Sequence, residues 1–458
     1  MSGYAPHTAA DVAAMLGAIG VDSVDALFAQ VPTSLRARAR LELPPGLTEP
    51  ELRQRMAALA ARNGGPGAPV AFLGAGAYPH VVPALVDQIL MRSEFATAYT
   101  PYQPEVSQGT LQAVFEFQTF VATLLGLDVA NASMYDGASA TAEAVLMARR
   151  MLPGRRVVWM ARALHPQYRA VVATYVRSLG DVELREIPVA ADGRTDVAAV
   201  TDRIGSDALC VVLGYPNVFG VIDDVAAAAA CARAAGALTI TVSTEPLALA
   251  LVRSPGALGA DIAVAEGQSF GLPVSYGGPG VGLFATRDRH VRNMPGRIVG
   301  ETVDAQGRRG FVLTLATREQ HIRRERATSN ICTNQGLCAL AVTAYLSLLG
   351  RNGLRELAEV NYRTAHAVAA RLEAAGVPRR WRAPFFNEFV VRAPDAAARW
   401  EAIAGERGVI AGFPLGRWYP ELPDALLVCA TEVHGPEQID RLVGALACGG
   451  RRRRAAEG

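Results

Sequence analysis

Between residues 70 and 300 the chain repeats one pattern: a short apolar run, a loop, then a segment of helical length. The runs fall at 157–160, 208–213, 238–242, 262–265 and 281–285, and they alternate with alanine-rich stretches such as 225–235. A strand that is apolar at successive positions buries both faces, so it belongs in a sheet covered by helices on each side. That predicts an α/β unit with a mostly parallel sheet. Beyond about residue 345 the pattern becomes mixed, with strands expected at 385–391 and 425–430, as in a smaller α+β domain. Residues 1 to about 65 read as helices. Thr8 caps the first, with Asp11 three residues on and Val12, Met15, Leu16 and Ile19 along one face; Ser23 caps a second, and 49–62 forms a third. Asn63-Gly64-Gly65-Pro66-Gly67 then breaks the helical pattern as a linker would. The expected organisation is an N-terminal helical segment 1–66, a large α/β domain 67–344, a small C-terminal α+β domain 345–448 and an arginine-rich polar tail 449–458.

A chain of 458 residues exceeds one typical core, and half of it is apolar, enough for the two cores this division requires. A net charge of +2 supplies no electrostatic drive toward nucleic acid or an anionic membrane surface. The arginines at 451–454 read as a solvated end. No basic segment leads into an apolar stretch near the N-terminus, and no window reads as a membrane span of ~20 apolar residues, so a soluble cytoplasmic protein is expected. The six cysteines, at 210, 231, 332, 338, 429 and 448, have neither the density of a disulfide framework nor the spacing of a zinc site. They read as reduced thiols, Cys332 as a small buried residue, and no metal site is expected.

The segment with most chemistry runs from Ala98 to Ala144. It opens as a polar loop in which Tyr99, Tyr102, Gln103, Glu105, Ser107 and Gln108 sit among Pro101 and Pro104, which fix φ and remove backbone donors. From Gly109 on, Leu111, Val114, Phe115, Phe117, Val121, Leu124 and Leu125 recur at helical spacing until Gly126 supplies a stop. Recognition groups held at the mouth of an apolar helix suit ligand contact, although a polar turn before a core helix has the same composition. Gly74-Ala75-Gly76 lacks the third glycine of a dinucleotide fingerprint, since position 79 is proline. Thr328, Ser329, Asn330 and Thr333 follow the charged stretch Arg323, Arg324, Glu325, Arg326. Clustered at a helix start, such neutral donors hold a phosphate or carboxylate with help from the helix dipole.

YTPYQPEVSQG followed by GLDVANASMYDGASATAEA resembles the glycine-decarboxylating P-protein family of the glycine cleavage system, in particular the α subunit (subunit 1) of its split, two-gene form. FLGAGAYPHVVP from Phe72, LTLATREQHIRRERATSNICTNQGLCAL from Leu313 and LLVCATEV from Leu426 are similar to that subunit too, in the same order. The resemblance implies a PLP-dependent transferase-like fold of the aspartate aminotransferase type (fold type I): a large domain with a mostly parallel sheet and a smaller C-terminal α+β domain. It also implies glycine decarboxylation with transfer of the aminomethyl group to the lipoyl group of H-protein, and a partner β subunit in an α2β2 heterotetramer. Tyr99, Tyr102, Gln103, Glu105, Ser107 and Gln108 would face substrate, and Thr328, Ser329, Asn330 and Thr333 the cofactor phosphate at the subunit interface.

One absence sets this chain apart within that resemblance. It contains no lysine, so all 45 of its Lys and Arg side chains are arginine. Pyridoxal phosphate is held as a Schiff base by a primary amine that loses its proton, and a guanidinium with a pKa above about 12 cannot do this. Where the fold usually pairs the pyridinium nitrogen with Asp, LTITVSTEP offers residues 241–244 instead. Where the catalytic partner carries His-Lys, this chain reads Gln268-Ser269. The chain therefore has no catalytic residue of its own for that chemistry, and the cofactor is expected on a lysine of the partner subunit. The alternative is an inert platform that stabilises the β subunit or docks H-protein. His165, about where relatives stack an aromatic ring on the cofactor, reads as a structural histidine.

Overall fold

The computed structural model describes residues 6–39, 42–63, 69–97, 99–331, 334–398 and 400–454. Ala98, Gly64, Gly65, Pro66 and Gly67 of the expected linker, Cys332 and Thr333 lie outside the described residues. Contacts divide the chain into Met1–Pro66 and Gly67–Gly458.

The first unit holds three helices, α1 Ala9–Ile19, α2 Thr33–Arg38 and α3 Glu49–Ala61. Capping boxes start two of them, Thr8 with Asp11 and Thr48 with Glu51, which satisfies amides that a helix start leaves free. Ser23 caps a 3₁₀ turn, Val24–Phe28, rather than an α-helix. None of these elements contains a buried residue, and Met15 and Ile19 on the apolar face of α1 are exposed.

The second unit is built on a seven-stranded sheet. In chain order after β1 (Val70–Ala71), its strands are β2 (Val129–Ala130), β3 (Val157–Ala161), β4 (Glu183–Ile187), β5 (Ala208–Gly214), β6 (Leu238–Ser243), β7 (Ile262–Glu266) and β8 (Gly282–Thr286). They lie side by side as β2-β8-β7-β6-β5-β3-β4. The run from β7 to β4 is parallel, while β8 is antiparallel to both its neighbours. Strands β3, β5, β6, β7 and β8 are buried at every position, as their unbroken apolar character requires.

Four of the covering helices are α4 (Ala84–Leu90), α5 (Gln108–Leu125), α6 (Gly137–Met151) and α7 (Pro166–Val176), and α8 (Val225–Ala234) lies against β5 and β6. Helix α5 buries Leu111, Val114, Phe117, Val121 and Leu125, and Gly126 ends it in the left-handed region at φ 68°. Strands β9 (Ile298–Val303) and β10 (Arg309–Thr314) form a hairpin, followed by the short α9 (Gln320–Arg323). Helical stretch α10, Gly336–Ala374, is broken at Gly350. By length and composition it would suffice to cross a membrane, contrary to the expectation that no segment would, but it packs on α4 and α5 and buries Ala341, Tyr345 and Leu372.

Strand β11 (Glu388–Arg392), helices α11 (Pro394–Ala398) and α12 (Trp400–Arg407), and strands β12 (Val409–Ile410), β13 (Phe413–Pro414) and β14 (Ala425–Cys429) complete the fold with α13 (Pro436–Arg454). Strands β11, β14 and β13 form an antiparallel sheet over a second core that includes Phe72, Phe389, Val428 and Leu442, and β1 pairs in parallel with β12. The backbone of residues 451–454 is helical and continues α13.

Candidate functional site

Strands β5, β6 and β7 end on one edge of the sheet, where the loops of an open α/β sheet diverge and leave a crevice. A cavity of about 480 Å³ lies there, lined among others by Gly76, Asp136, His165, Tyr168, Glu266 and Gln268 and flanked by the turn Gly277-Gly278-Pro279-Gly280. That volume is in the range of small-molecule sites.

His165 and Gln268 beside this cavity are satisfied within the chain. His165 precedes α7; one ring nitrogen, Nε2, lies 2.8 Å from the Ala75 carbonyl and the other accepts from Gln167 N at 3.3 Å. Burial holds its pKa below the usual value, and these contacts suit a neutral ring that donates from Nε2. Its ring also meets Trp418 edge-on at 4.8 Å. The Gln268 amide is spent on Tyr78 and Leu272: it accepts from Tyr78 N and donates to the carbonyls of Tyr78 and Leu272. The neighbouring Ser269 hydroxyl is buried without a partner among the described residues. Just past β6, Thr244 lies 3.3 Å from the Tyr78 hydroxyl, while Thr241 Oγ1 is buried with no partner among the described residues.

Carboxylates supply the remaining polarity. Glu266, at the end of β7, accepts from Gly137 N at 2.9 Å, Val281 N at 2.9 Å and Gln268 N at 3.1 Å. Asp136 caps α6 by accepting from Ser139 N at 2.7 Å. Burial pushes the Glu266 carboxyl up to about 7 despite its three donors.

A second network ties the 72–83 loop to both sheets. Glu388 is fully buried, accepts from Ala75 N and from the Tyr78 hydroxyl, and is raised to about 8 by burial. His80 sits between Glu245 and Glu432, 2.9 Å from each; burial alone would lower its pKa, but the two carboxylates raise it to about 10. Gly74-Ala75-Gly76 is thus a turn pinned to Glu388, and the next helix, α4, starts only at Ala84.

The Tyr99 to Gln108 loop divides into anchored and outward residues. The Tyr102 hydroxyl accepts from Arg297 Nη2 at 2.7 Å, and the guanidinium carbon stands 5.2 Å from the ring centroid. Arg297 is 4% exposed and also donates to Glu319, but its Nη1 is buried without a partner among the described residues. Gln108 accepts from Phe311 N and donates to the Phe311 and Pro104 carbonyls, which fastens the loop to β10. Ser107 leads into α5 without a side-chain cap. Tyr99 is 77% exposed, and Gln103 and Glu105 are exposed.

The 327–331 segment differs from the sequence expectation. Thr328, Ser329 and Asn330 lie on irregular backbone and the next helix begins at Gly336, so no helix start presents these donors to an anion. The reason is the route into α10: Asn334 donates to the Ala132 carbonyl and Gln335 N to Ser133 Oγ, which holds the chain on the sheet before it turns helical. Ser329 Oγ accepts from Ile331 N, and Asn330 is exposed. The sequence reading missed Glu266, Glu388, His80 and Arg297. Each is a charged residue inside or ending an otherwise apolar run, and that was the available signal.

Residues 2–446 match the family model of the glycine cleavage system P-protein. A protein of Anaeromyxobacter dehalogenans (strain 2CP-C) named probable glycine dehydrogenase (decarboxylating) subunit 1 is 57% identical over 446 residues, which cover 97% of this chain and 99% of that one. A protein of the same name from Sorangium cellulosum is 53% identical over 97% of this chain and 99% of its own length. The crystal structure of glycine decarboxylase (P-protein) of the glycine cleavage system, in inhibitor-bound form, superposes with a TM-score of 0.88 at 45% identity, covering 97% of this chain and 99% of that chain.

Proposed function

The chain belongs to the glycine cleavage system P-protein family, and from that membership we propose that it works as subunit 1 of a glycine dehydrogenase (decarboxylating) whose cofactor is held by a partner subunit. The reaction is decarboxylation of glycine, with the aminomethyl group passed to the lipoyl group of H-protein in the cytoplasm. Pyridoxal phosphate supplies the electron sink for the carbanion that departing CO2 leaves behind.

This chain's own cavity does not fit that cofactor. No lysine exists to hold the aldehyde, Gln268 and Ser269 stand in the region of the amine, and Ser243 and Thr244 stand at and just past the end of the strand expected to carry the pyridinium partner. Two carboxylates, Glu266 and Asp136, occupy amides at the start of α6. The carrying observation is this cavity: the crevice of a cofactor enzyme is kept, while every group that would anchor the cofactor is replaced or spent. The chain's contribution is therefore a wall for a site completed by the lysine-bearing β subunit, in an α2β2 assembly. Tyr99, Gln103 and Glu105 are the outward groups suited to line it, with Tyr102 orienting through Arg297. For Gln108, whose amide is spent on Phe311 and Pro104, the contacts favour a structural role. Thr328, Ser329 and Asn330 would meet the cofactor phosphate from irregular backbone at the interface.

Glycine–bicarbonate exchange with H-protein and pyridoxal phosphate present tests the reading. The isolated chain should show no exchange, and adding the β subunit should restore it. Exchange by this chain alone would overturn the assignment.

A further inference from the structure

Three backbone amides from three separate segments converge on one side chain: Gly137 N opens α6, Gln268 N follows β7 and Val281 N leaves the glycine-rich turn, all donating to Glu266 at 2.9 to 3.1 Å. Amides converging from a helix start and a glycine turn at the end of parallel strands make an anion cradle. Here the anion is part of the chain. Glu266 is 7% exposed, so it is a wall of the cavity rather than a solvated group. The fit is close on both sides, since a Cβ at Gly280 would stand 3.0 Å from Glu266 Oε2 and one at Gly137 would stand 3.1 Å from Glu266 Cβ and 2.5 Å from the Tyr168 hydroxyl. Asp136 takes the Ser139 amide of the same first turn.

We infer that Glu266 is a built-in substitute for a bound phosphate: it fills the cradle, ties the 277–281 turn to α6, and with Asp136 closes the cavity to phosphorylated ligands. A phosphate entering beside it would find two of the first three amides of α6 taken and would face two carboxylates. The chain can thus hold the architecture of a cofactor domain with no cofactor in it. The inference concerns this chain's own cavity and stands whether or not the partner subunit holds the lysine.

The test uses the complex with its partner subunit saturated in pyridoxal phosphate, and inorganic phosphate as the probe. Calorimetric titration and ³¹P line broadening should show no phosphate site on the wild-type complex attributable to this chain. Glu266→Ala vacates the cradle, so its melting temperature should fall and rise again with added phosphate, with a phosphate affinity at least tenfold above wild type. Glu266→Gln keeps the volume filled and should show no such rescue. Three results would overturn the inference: wild-type phosphate binding abolished by Gly280→Val, a Glu266→Ala complex that melts like wild type, or equal phosphate rescue of the Ala and Gln variants. If Glu266→Ala does not assemble, the wild-type titration and a comparison of Glu266→Gln with wild type still decide, because phosphate stabilising both equally means an adventitious ion only and removes the cradle argument. Glycine–bicarbonate exchange, measured in parallel, reports separately on the subunit assignment.

Discussion

The crevice at the strand ends and the Tyr99 to Gln108 loop are both rich in polar groups, yet they spend them in opposite ways. In the crevice, Gln268, His165, Asp136 and Glu266 each complete their hydrogen bonds inside the chain. On the loop, Tyr102 and Gln108 act as anchors, while Tyr99, Gln103 and Glu105 project outward. A site whose donors are already spent is architecture, because a ligand gains nothing from groups it must first pull away from their partners. One whose donors remain available awaits a partner. The contrast is the ground for proposing that this chain acts through its exposed loop rather than through the crevice.

Breaking the buried network beside the crevice should have the largest effect. Glu388→Ala leaves the Ala75 amide and the Tyr78 hydroxyl without their buried acceptor, at a cost of about 1–3 kcal/mol for each group. Urea unfolding of the complex should show that loss. A change below about 0.5 kcal/mol, the range of ordinary surface substitutions, would mean the network is not structural.

The loop's anchor comes next. Tyr102→Phe removes the acceptor of Arg297 Nη2, a bond to a charged group worth about 1.5–3 kcal/mol, or roughly 10- to 150-fold in kcat/KM if it positions the wall. Assembly in analytical ultracentrifugation should survive. Unchanged kinetics would assign the loop to packing alone.

The crevice, through Glu266, and the buried network beside it, through Glu388 and His80, should also respond to pH. Glu266 and Glu388 rise from 4.5 to about 7 and about 8 in the folded chain, and His80 from 6.5 to about 10. A group raised on folding contributes stability that is complete below its unfolded pKa and lost as pH climbs through the folded one. All three therefore act in the same direction. Stability of the complex should fall between about pH 4.5 and 10, by up to about 1.4 kcal/mol per pH unit for each group inside its window. Glu388→Gln should flatten the part that ends near pH 8, and a melting temperature that climbed over this range would contradict the assignment.

Gln103→Ala and Glu105→Ala should change stability least, within about 0.5 kcal/mol, because both residues are exposed. Their effect should appear in exchange activity of the complex. Loss of stability with intact activity would reverse the comparison.

The fold was legible wherever burial acted on both faces of an element. The runs at 208–213 and 262–265 became β5 and β7 with one residue added at each C-terminal end, because nothing polar interrupts them before Gly214 and Glu266. Glu266 itself was not legible. A carboxylate after an apolar run reads as a strand end, and of the three amides that make it a cradle Gln268 is a near neighbour while those of Gly137 and Val281 are brought in only by folding. Glu388 escaped for the same reason, its donors lying more than 300 residues earlier. Thr328, Ser329 and Asn330 look like helix caps, but tertiary bonds from Asn334 and Gln335 delay the helix to Gly336. The capping boxes at Thr8 and Thr48 are local, and such signals can be read without the fold.

This chain has no lysine, and we propose that the cofactor's covalent site lies on its partner. Borohydride reduction of the assembled, pyridoxal phosphate-loaded complex, followed by peptide mass mapping of both chains, tests it most directly. The account predicts a reduced adduct on one lysine of the partner subunit and none on any internal residue of this chain; an adduct on an internal residue of this chain would contradict it.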